Sequence, residues 1–407
     1  MKQIVDSVMD WVEVRMPVAK LYDEHMANYY APKNFNFWYY FGSLALFVLV
    51  NQLVTGIWLT MYYTPSGEEA FNSIEYIMRD VEYGWLLRYM HSTGATAFFI
   101  VIYLHMFRGM MYGSYKSPRE LVWLFGMGIY GVLMGEAFFG YLLPWGQMSY
   151  WGAQVILSLV GAVPIVGDDI SLWVRGDYVI SGVTLNRFFA LHVVALPIVL
   201  LGLIVMHLFA LHEVGSSNPD GVEIKEKKDS EGIPLDGIPF HPYYTVKDIV
   251  GVVVFLVVFC AVIFFFPEGG GLILEGPNFE PSSPLKTPEH IAPVWYFTPY
   301  YSVLRAVPNK LGGVIAMGGA IAFLFVLPWL DRSPVKSIRY KGWMSKVALA
   351  SFVVSFFVLG YLGTQPTSEL KLLVAQVFTA IYFLFFILMP FYTTMETTKP
   401  VPERVTE

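Results

Sequence analysis

Along this chain, apolar stretches of about 20 residues alternate with short segments where charge, proline and glycine collect. A hydrocarbon core of about 30 Å needs ~20 residues of helix to cross it. The pattern therefore predicts eight membrane-spanning helices, near 38–62 (A), 85–112 (B), 121–143 (C), 186–211 (D), 246–267 (E), 311–330 (F), 344–363 (G) and 371–394 (H). Between C and D, the stretch from Trp145 to Gly167 is apolar but interrupted by glycine and by Pro164. It reads as a re-entrant or surface-lying helical hairpin, not a ninth span. Irregular backbone at such depth is tolerated only where protein or a cavity covers it, so a binding pocket is expected there. The expected class is an all-α polytopic membrane protein. Its segments are an amphipathic N-terminus (1–36), a four-helix bundle with its hairpin (37–212), a linker (213–245), a C-terminal group with the E–F loop (246–394) and a tail (395–407).

Composition agrees with this pattern. Of 407 residues, 56% are hydrophobic and 14% charged, against roughly 25% charged in soluble domains. The formal charge of −6 says little about partners, because charges divide between two membrane faces; no nucleic acid is expected. The single cysteine, Cys260 in VVFLVVFCAVIFFF, reads as a small buried or lipid-facing hydrophobe. The N-terminal MKQIVDSVMDWVEVRMP lacks the apolar core of a cleaved signal.

Loop charge predicts orientation. The F–G loop carries Arg332, Lys336, Arg339, Lys341 and Lys346 against Asp331 alone, and the B–C turn carries Lys116 and Arg119. The A–B loop, PSGEEAFNSIEYIMRDVEYG, is acidic. Lys and Arg collect on the cytoplasmic side. F–G, B–C, the D–E linker and both termini are thus expected in the cytoplasm. The A–B, C–D, E–F and G–H loops face outward.

Within B and D lie four histidines: His91 and His105 in one, His192 and His207 in the other. Ligating side chains are expensive in apolar helices and usually mark function. Fourteen residues of helix separate His91 from His105, close to four turns and about 21 Å, with both rings on nearly one face. The topology pairs His91 with His192 near the outer face and His105 with His207 near the inner one. Two imidazoles from two helices are the axial set of a low-spin haem, so two stacked haems are expected. With no CxxCH in the chain, they are held non-covalently.

Glycines repeat the same interval. Gly42 and Gly56 on A, and Gly126 and Gly140 on C, are each fourteen apart. A porphyrin packed edge-on needs close backbone approach, which glycine allows, although small residues also serve plain helix packing in membranes. Gln52 on A is a further candidate for the haem pocket. Arg88 and Arg108 follow the same logic, three residues from His91 and His105, as partners for haem propionates or as side chains that snorkel to the interface.

At these residues the chain resembles cytochrome b of the cytochrome bc complex, the quinol–cytochrome c oxidoreductase. The resemblance runs through RYMHSTGA, HMFRGMMYGSY, GYLLPWGQMSYWGA, NRFFALH, HLFALHEVGSSNP, FHPYYTVKD and VLRAVPNKLGGV. It implies a lower-potential b haem at His91 and His192, a higher-potential one at His105 and His207, and two quinone sites on opposite faces. Ubiquinone or another quinone is the implied substrate. Bifurcated quinol oxidation would send one electron to a Rieske-type iron–sulfur subunit and cytochrome c1, and the other through the haems. A dimeric complex in a lipid bilayer is implied as well. Onto the outer, quinol-oxidising site the resemblance maps Tyr141, Gly146, Gly152, Pro293, Trp295 and Tyr296. Onto the inner, quinone-reducing site it maps His212, Ser216, Lys247 and Asp248, a set able to bracket two carbonyls and deliver protons.

Two departures stand out. The family's Pro-Glu-Trp-Tyr is here Pro293-Val294-Trp295-Tyr296, and valine accepts no proton; Glu289 is the nearest carboxylate in sequence and the expected substitute. His192 and His207 are fifteen apart, one residue too many for a regular helix, and a kink or π-bulge near Pro197–Gly202 is expected to absorb it. The competing readings are a dihaem quinone-reducing anchor of a dehydrogenase or hydrogenase, and a haem-free transporter using histidines as a proton relay.

Overall fold

The computed structural model describes residues 2–17 and 29–406. The N-terminal segment forms α1 (Lys2–Arg15); the rest of the expected 1–36 unit, over 18–28, lies outside the described residues. Span A is α2 (Tyr40–Thr60), and a surface helix that its pattern did not announce, α3 (Ala70–Arg79), lies in the A–B loop. Spans B and C are α4 (Gly84–Tyr112) and α5 (Glu120–Leu142). The hairpin is two helices, α6 (Gln147–Val160) and α7 (Gly167–Arg175). Span D is α8 (Gly182–Ala190) and α9 (Leu196–Val214), continuous through a π turn at Leu191–Ala195. Span E is α10 (Thr245–Phe265). Beyond it come α11 (Thr298–Ala306), α12 (Lys310–Phe325), α13 (Leu327–Leu330), α14 (Trp343–Gly363), α15 (Glu369–Ile387) and α16 (Met389–Met395).

Seven helices among the described residues are long and apolar enough to cross a bilayer, those of spans A to E, G and H. Span F differs from its expectation: it is cut at Val326 into α12 and α13. Pro328 is the reason. It has no N–H for the carbonyl of Leu324 and its ring crowds that carbonyl; the freed oxygen accepts a 2.7 Å hydrogen bond from Trp123 Nε1 of α5 instead.

In the first half, α2 packs on α4, and α5 on α9. The main core joins these helices to the C-terminal ones through Phe99, Met127, Tyr130, Tyr296, Tyr300, Leu359 and Phe386. Away from this core, α10 exposes Val253, Val254, Val257 and Val258, a face suited to lipid.

The 213–245 segment is tied down. Its Gly237–Pro239 strand pairs antiparallel with Tyr30–Pro32. Asp236 accepts from Arg404 at 2.7 Å, and Asp220 accepts from Thr406 at 2.8 Å, so linker and C-terminal tail hold one another.

Candidate functional site

The π turn and the regular α4 set the histidines. His91 faces His192 with ring centroids 6.2 Å apart and planes at 85°, and His105 faces His207 at 6.3 Å and 66°. A metal–imidazole bond is about 2 Å long, so two such bonds plus the inner halves of two rings fill that separation. Each pair thus leaves room for one metal ion.

On three of these four histidines Nδ1 is already engaged. His192 Nδ1 lies 2.9 Å from the carbonyl oxygen of Glu136, and His207 Nδ1 lies 2.9 Å from that of Val122. A carbonyl only accepts, so each Nδ1 carries the proton and each Nε2 keeps its lone pair for a metal. His91 Nδ1 lies 2.9 Å from Thr55 Oγ1, whose own hydrogen goes to Asn51 O at 2.7 Å. The hydroxyl therefore accepts, and His91 has the same tautomer. Gln52 Nε2 donates to His91 O at 3.1 Å, and Asn51 Nδ2 to Met90 O at 3.2 Å. Thr55 and Asn51 carry no signal of their own in the sequence; each only precedes a residue that does, Gly56 and Gln52.

The glycines have a more specific role than room for a porphyrin edge. Each of the four backs one imidazole. A Cβ at Gly56 would lie 3.3 Å from His91 Cε1, at Gly42 3.4 Å from His105, and at Gly126 3.3 Å from His207. At Gly140 it would overlap the His192 ring. The repeat of fourteen on α2 and α5 copies the histidine spacing because ring and glycine meet one to one.

The extra residue between His192 and His207 is absorbed as a π turn, at Leu191–Ala195, one turn earlier than the expected Pro197–Gly202. Leu196 N bonds Leu191 O, an i to i+5 link. Proline at 197 crowds the carbonyl four residues before it, so the widening falls N-terminal to the ring and takes in His192 itself.

Arg88 has no carboxylate partner among the described residues. Arg108 donates to Ser217 O at 2.7 Å and reaches Ser114 Oγ at 3.4 Å, again without a carboxylate. Two facing imidazoles with free Nε2 atoms, glycine behind each, and an uncompensated arginine one turn away fit a haem with anionic substituents.

The hairpin and the E–F loop meet in a second constellation. Tyr296 is buried and stacks on Phe99 at 3.9 Å, and its carbonyl accepts from Tyr103 Oη at 2.5 Å. Trp295 Nε1 donates to Thr96 Oγ1 at 3.3 Å. Gly152 faces the Tyr141 ring, with Cε1 3.8 Å from where its Cβ would be. Gly146 sits against the backbone of Asn278, where no side chain fits. Pro293 precedes the buried Val294. Tyr141 Oη donates to Glu275 Oε2 at 2.7 Å. Glu289, by contrast, is exposed and takes part in no hydrogen bond or ion pair found among the described residues. The carboxylate that reaches this constellation comes from farther up the loop.

At the other end, the His212 ring stacks on Tyr29 at 4.4 Å, and Tyr29 Oη lies 3.2 Å from Ser216 Oγ. Asp248 accepts from Ser43 Oγ of α2 at 2.9 Å, and Lys247 Nζ lies 5.2 Å above the Tyr244 ring. Tyr39 is within electrostatic reach of Asp248, Tyr29 and Arg108. Tyr29, Tyr39 and Ser43 carried no signal in the sequence beyond their polarity.

Comparison with known proteins accords with this geometry. Residues 26–215 match the family model described as cytochrome b/b6/petB, and residues 281–383 match cytochrome b (C-terminal)/b6/petD. The chain is 62% identical over 406 residues to cytochrome b of Allochromatium vinosum, covering 98% of each chain. It is 48% identical to that of Rhodospirillum rubrum, covering 98% of this chain and 95% of the relative. A chain of a solved hyperthermophilic respiratory complex III superposes with a TM-score of 0.88 at 41% identity, covering 95% of this chain and 99% of that one. With both halves matched and the identity spread over nearly its whole length, the chain belongs to the cytochrome b family.

Proposed function

We propose that this chain is the membrane-spanning catalytic subunit of a quinol–cytochrome c oxidoreductase, with quinol oxidised at the outer face and quinone reduced at the inner one. The observation that carries the reading is the pair of facing imidazole sets, with ring centroids 6.2 and 6.3 Å apart. His91 and His192 would hold one b haem, His105 and His207 the other, with Gly42, Gly56, Gly126, Gly140 and Gln52 shaping the pockets and Arg88 and Arg108 meeting propionates. When bound, haem supplies a reversible one-electron carrier in each leaflet.

The remaining work belongs to side chains. At the outer site Tyr141, Gly146, Gly152, Pro293, Trp295 and Tyr296 would form a pocket from which water is excluded, so that hydrogen bonds to a quinol hydroxyl act in a low dielectric. At the inner site His212 and Asp248 would bracket the carbonyls of a quinone and deliver protons, with Ser216 and Lys247 orienting them. Loss of protons outside and uptake inside couples the reaction to proton translocation. A Rieske-type iron–sulfur subunit, a cytochrome c1-type subunit and a second copy of the complex complete the enzyme. Likeness to bacterial cytochromes b supports a bacterial inner-membrane location, and loop charge supports cytoplasmic termini.

A redox-titrated optical spectrum of the purified complex tests the reading. Two b-type signals of distinct potential are expected, and His192→Ala removes the lower-potential one while His207→Ala removes the higher. Absence of any b-type signal overturns the proposal.

A further inference from the structure

A quinol hydroxyl is a weak acid, and its oxidation at neutral pH needs a base within hydrogen-bond reach or one relay away. Val294 is buried in the loop beside Trp295 and Tyr296 and cannot serve. Among the described residues, Glu275 is the carboxylate bonded to a residue of the outer constellation, through Tyr141 Oη at 2.7 Å. Glu280 is exposed and paired with Lys286 at 3.2 Å.

Glu275 is not a chance visitor from a loose loop. The segment after it is sewn to the start of α6. Ser149 N donates to Asn278 Oδ1 at 2.9 Å, Gln147 N to Glu280 O at 3.0 Å, Ser282 N to Trp145 O at 3.0 Å and Ser283 N to Gln147 Oε1 at 2.9 Å. Gly146 pairs with Pro281 as an isolated β-bridge. From the other side, Ser149 Oγ donates to Tyr141 O at 2.5 Å. Both partners of the Tyr141–Glu275 bond are therefore fixed by the same hairpin.

Resting on the function proposed above, we infer that Glu275 is the proton acceptor of the outer site, working through Tyr141. The quinol O–H bond breaks and its proton passes to Tyr141 Oη, while the phenolic proton moves to Glu275 Oε2. The electron pair stays on the quinol oxygen, and the resulting quinolate is the better reductant for the oxidised iron–sulfur centre that this reaction uses. Glu275 then releases the proton to the outer aqueous phase. Burial pushes the Glu275 carboxyl up to about 7, with the Tyr141 hydrogen bond and its own backbone N–H opposing the rise. The other titratable group facing it is Tyr296, whose phenol is raised by burial and by the carboxylate.

The test uses the intact complex, with Glu275→Gln, Glu275→Asp and Glu275→Gln combined with Val294→Glu. Glu275→Gln is expected to lower outer-site turnover about 100-fold with KM for quinol little changed, the low end of the range for loss of one general base. It should also abolish the fall in rate as pH drops through about 7. Glu275→Asp keeps a displaced pH limb, and Val294→Glu restores rate to the Gln variant. Haem spectra and haem reduction by quinol through the inner site stay unchanged. Wild-type rate and pH profile in Glu275→Gln overturn the inference, as does a loss that Val294→Glu leaves unrescued. If the unmodified complex has no quinol–cytochrome c activity, the function proposed above fails instead.

Discussion

His192 Nδ1 lies 2.9 Å from the backbone carbonyl of Glu136 and 3.1 Å from that residue's own carboxylate. The second carboxylate oxygen, Glu136 Oε2, is buried without a hydrogen-bond partner among the described residues. Among the described residues, no carboxylate is so placed against His91, His105 or His207. A carboxylate behind an imidazole strengthens it as a ligand and favours oxidised iron only while ionised, and a buried one with an unpartnered oxygen is costly to ionise. Glu136→Gln is therefore expected to raise the midpoint potential of the haem proposed at His91 and His192 by a few tens of millivolts in alkaline buffer and by little at neutral pH, where about 59 mV is tenfold for one electron. The potential at His105 and His207 should not move. A redox titration reads both; equal shifts in the two would show that the carboxylate acts on the bundle at large.

The four glycines are expected to differ in tolerance. Alanine at Gly42, Gly56 or Gly126 meets an imidazole at 3.3–3.4 Å, which a small ring shift relieves. Alanine at Gly140 overlaps His192, held by its bond to Glu136. Gly140→Ala should lose most of the lower-potential haem signal with the other retained, whereas Gly42→Ala, Gly56→Ala and Gly126→Ala keep both. Haem content per polypeptide and the optical spectrum check this order.

Asp331 joins the B–C turn to the F–G loop. Its side chain is fully buried, accepts from Tyr115 Oη at 2.6 Å, and pairs with Lys116 at 3.2 Å and with Lys341. Burial by itself would raise this carboxyl, but Lys341 and Lys116 hold it below the usual range. Its stabilisation is thus present above the unfolded value of about 3.9 and is lost as pH falls through the lower folded value. Asp331→Ala strands the buried Lys341 and takes the carboxylate from the half-buried Lys116, and should cost about 3–5 kcal/mol, seen as a lower Tm in detergent at pH 7. The difference from the unmodified protein should shrink below about pH 4.

The chain's own order of residues determined seven of the eight expected spans, the histidine positions and the glycine interval, because helical periodicity and the thickness of a bilayer act locally. It also exposed two irregularities, the fifteen-residue spacing and Val294. What each feature meets was decided by tertiary structure. Gly140 and His192 are far apart in sequence, so their contact is invisible until α5 packs on α9. Thr55 looks like any helix hydroxyl until α2 brings it to His91. Proline announced a distortion in span D, but only the packed helix placed it at His192, since relief of the ring's clash can fall on either neighbouring turn. Glu289 stood nearest to Val294 along the chain, yet among the described residues it is Glu275, 134 residues from Tyr141, whose carboxylate bonds to that tyrosine. A hydrogen bond depends on distance in space, and the loop folded on the hairpin supplies it.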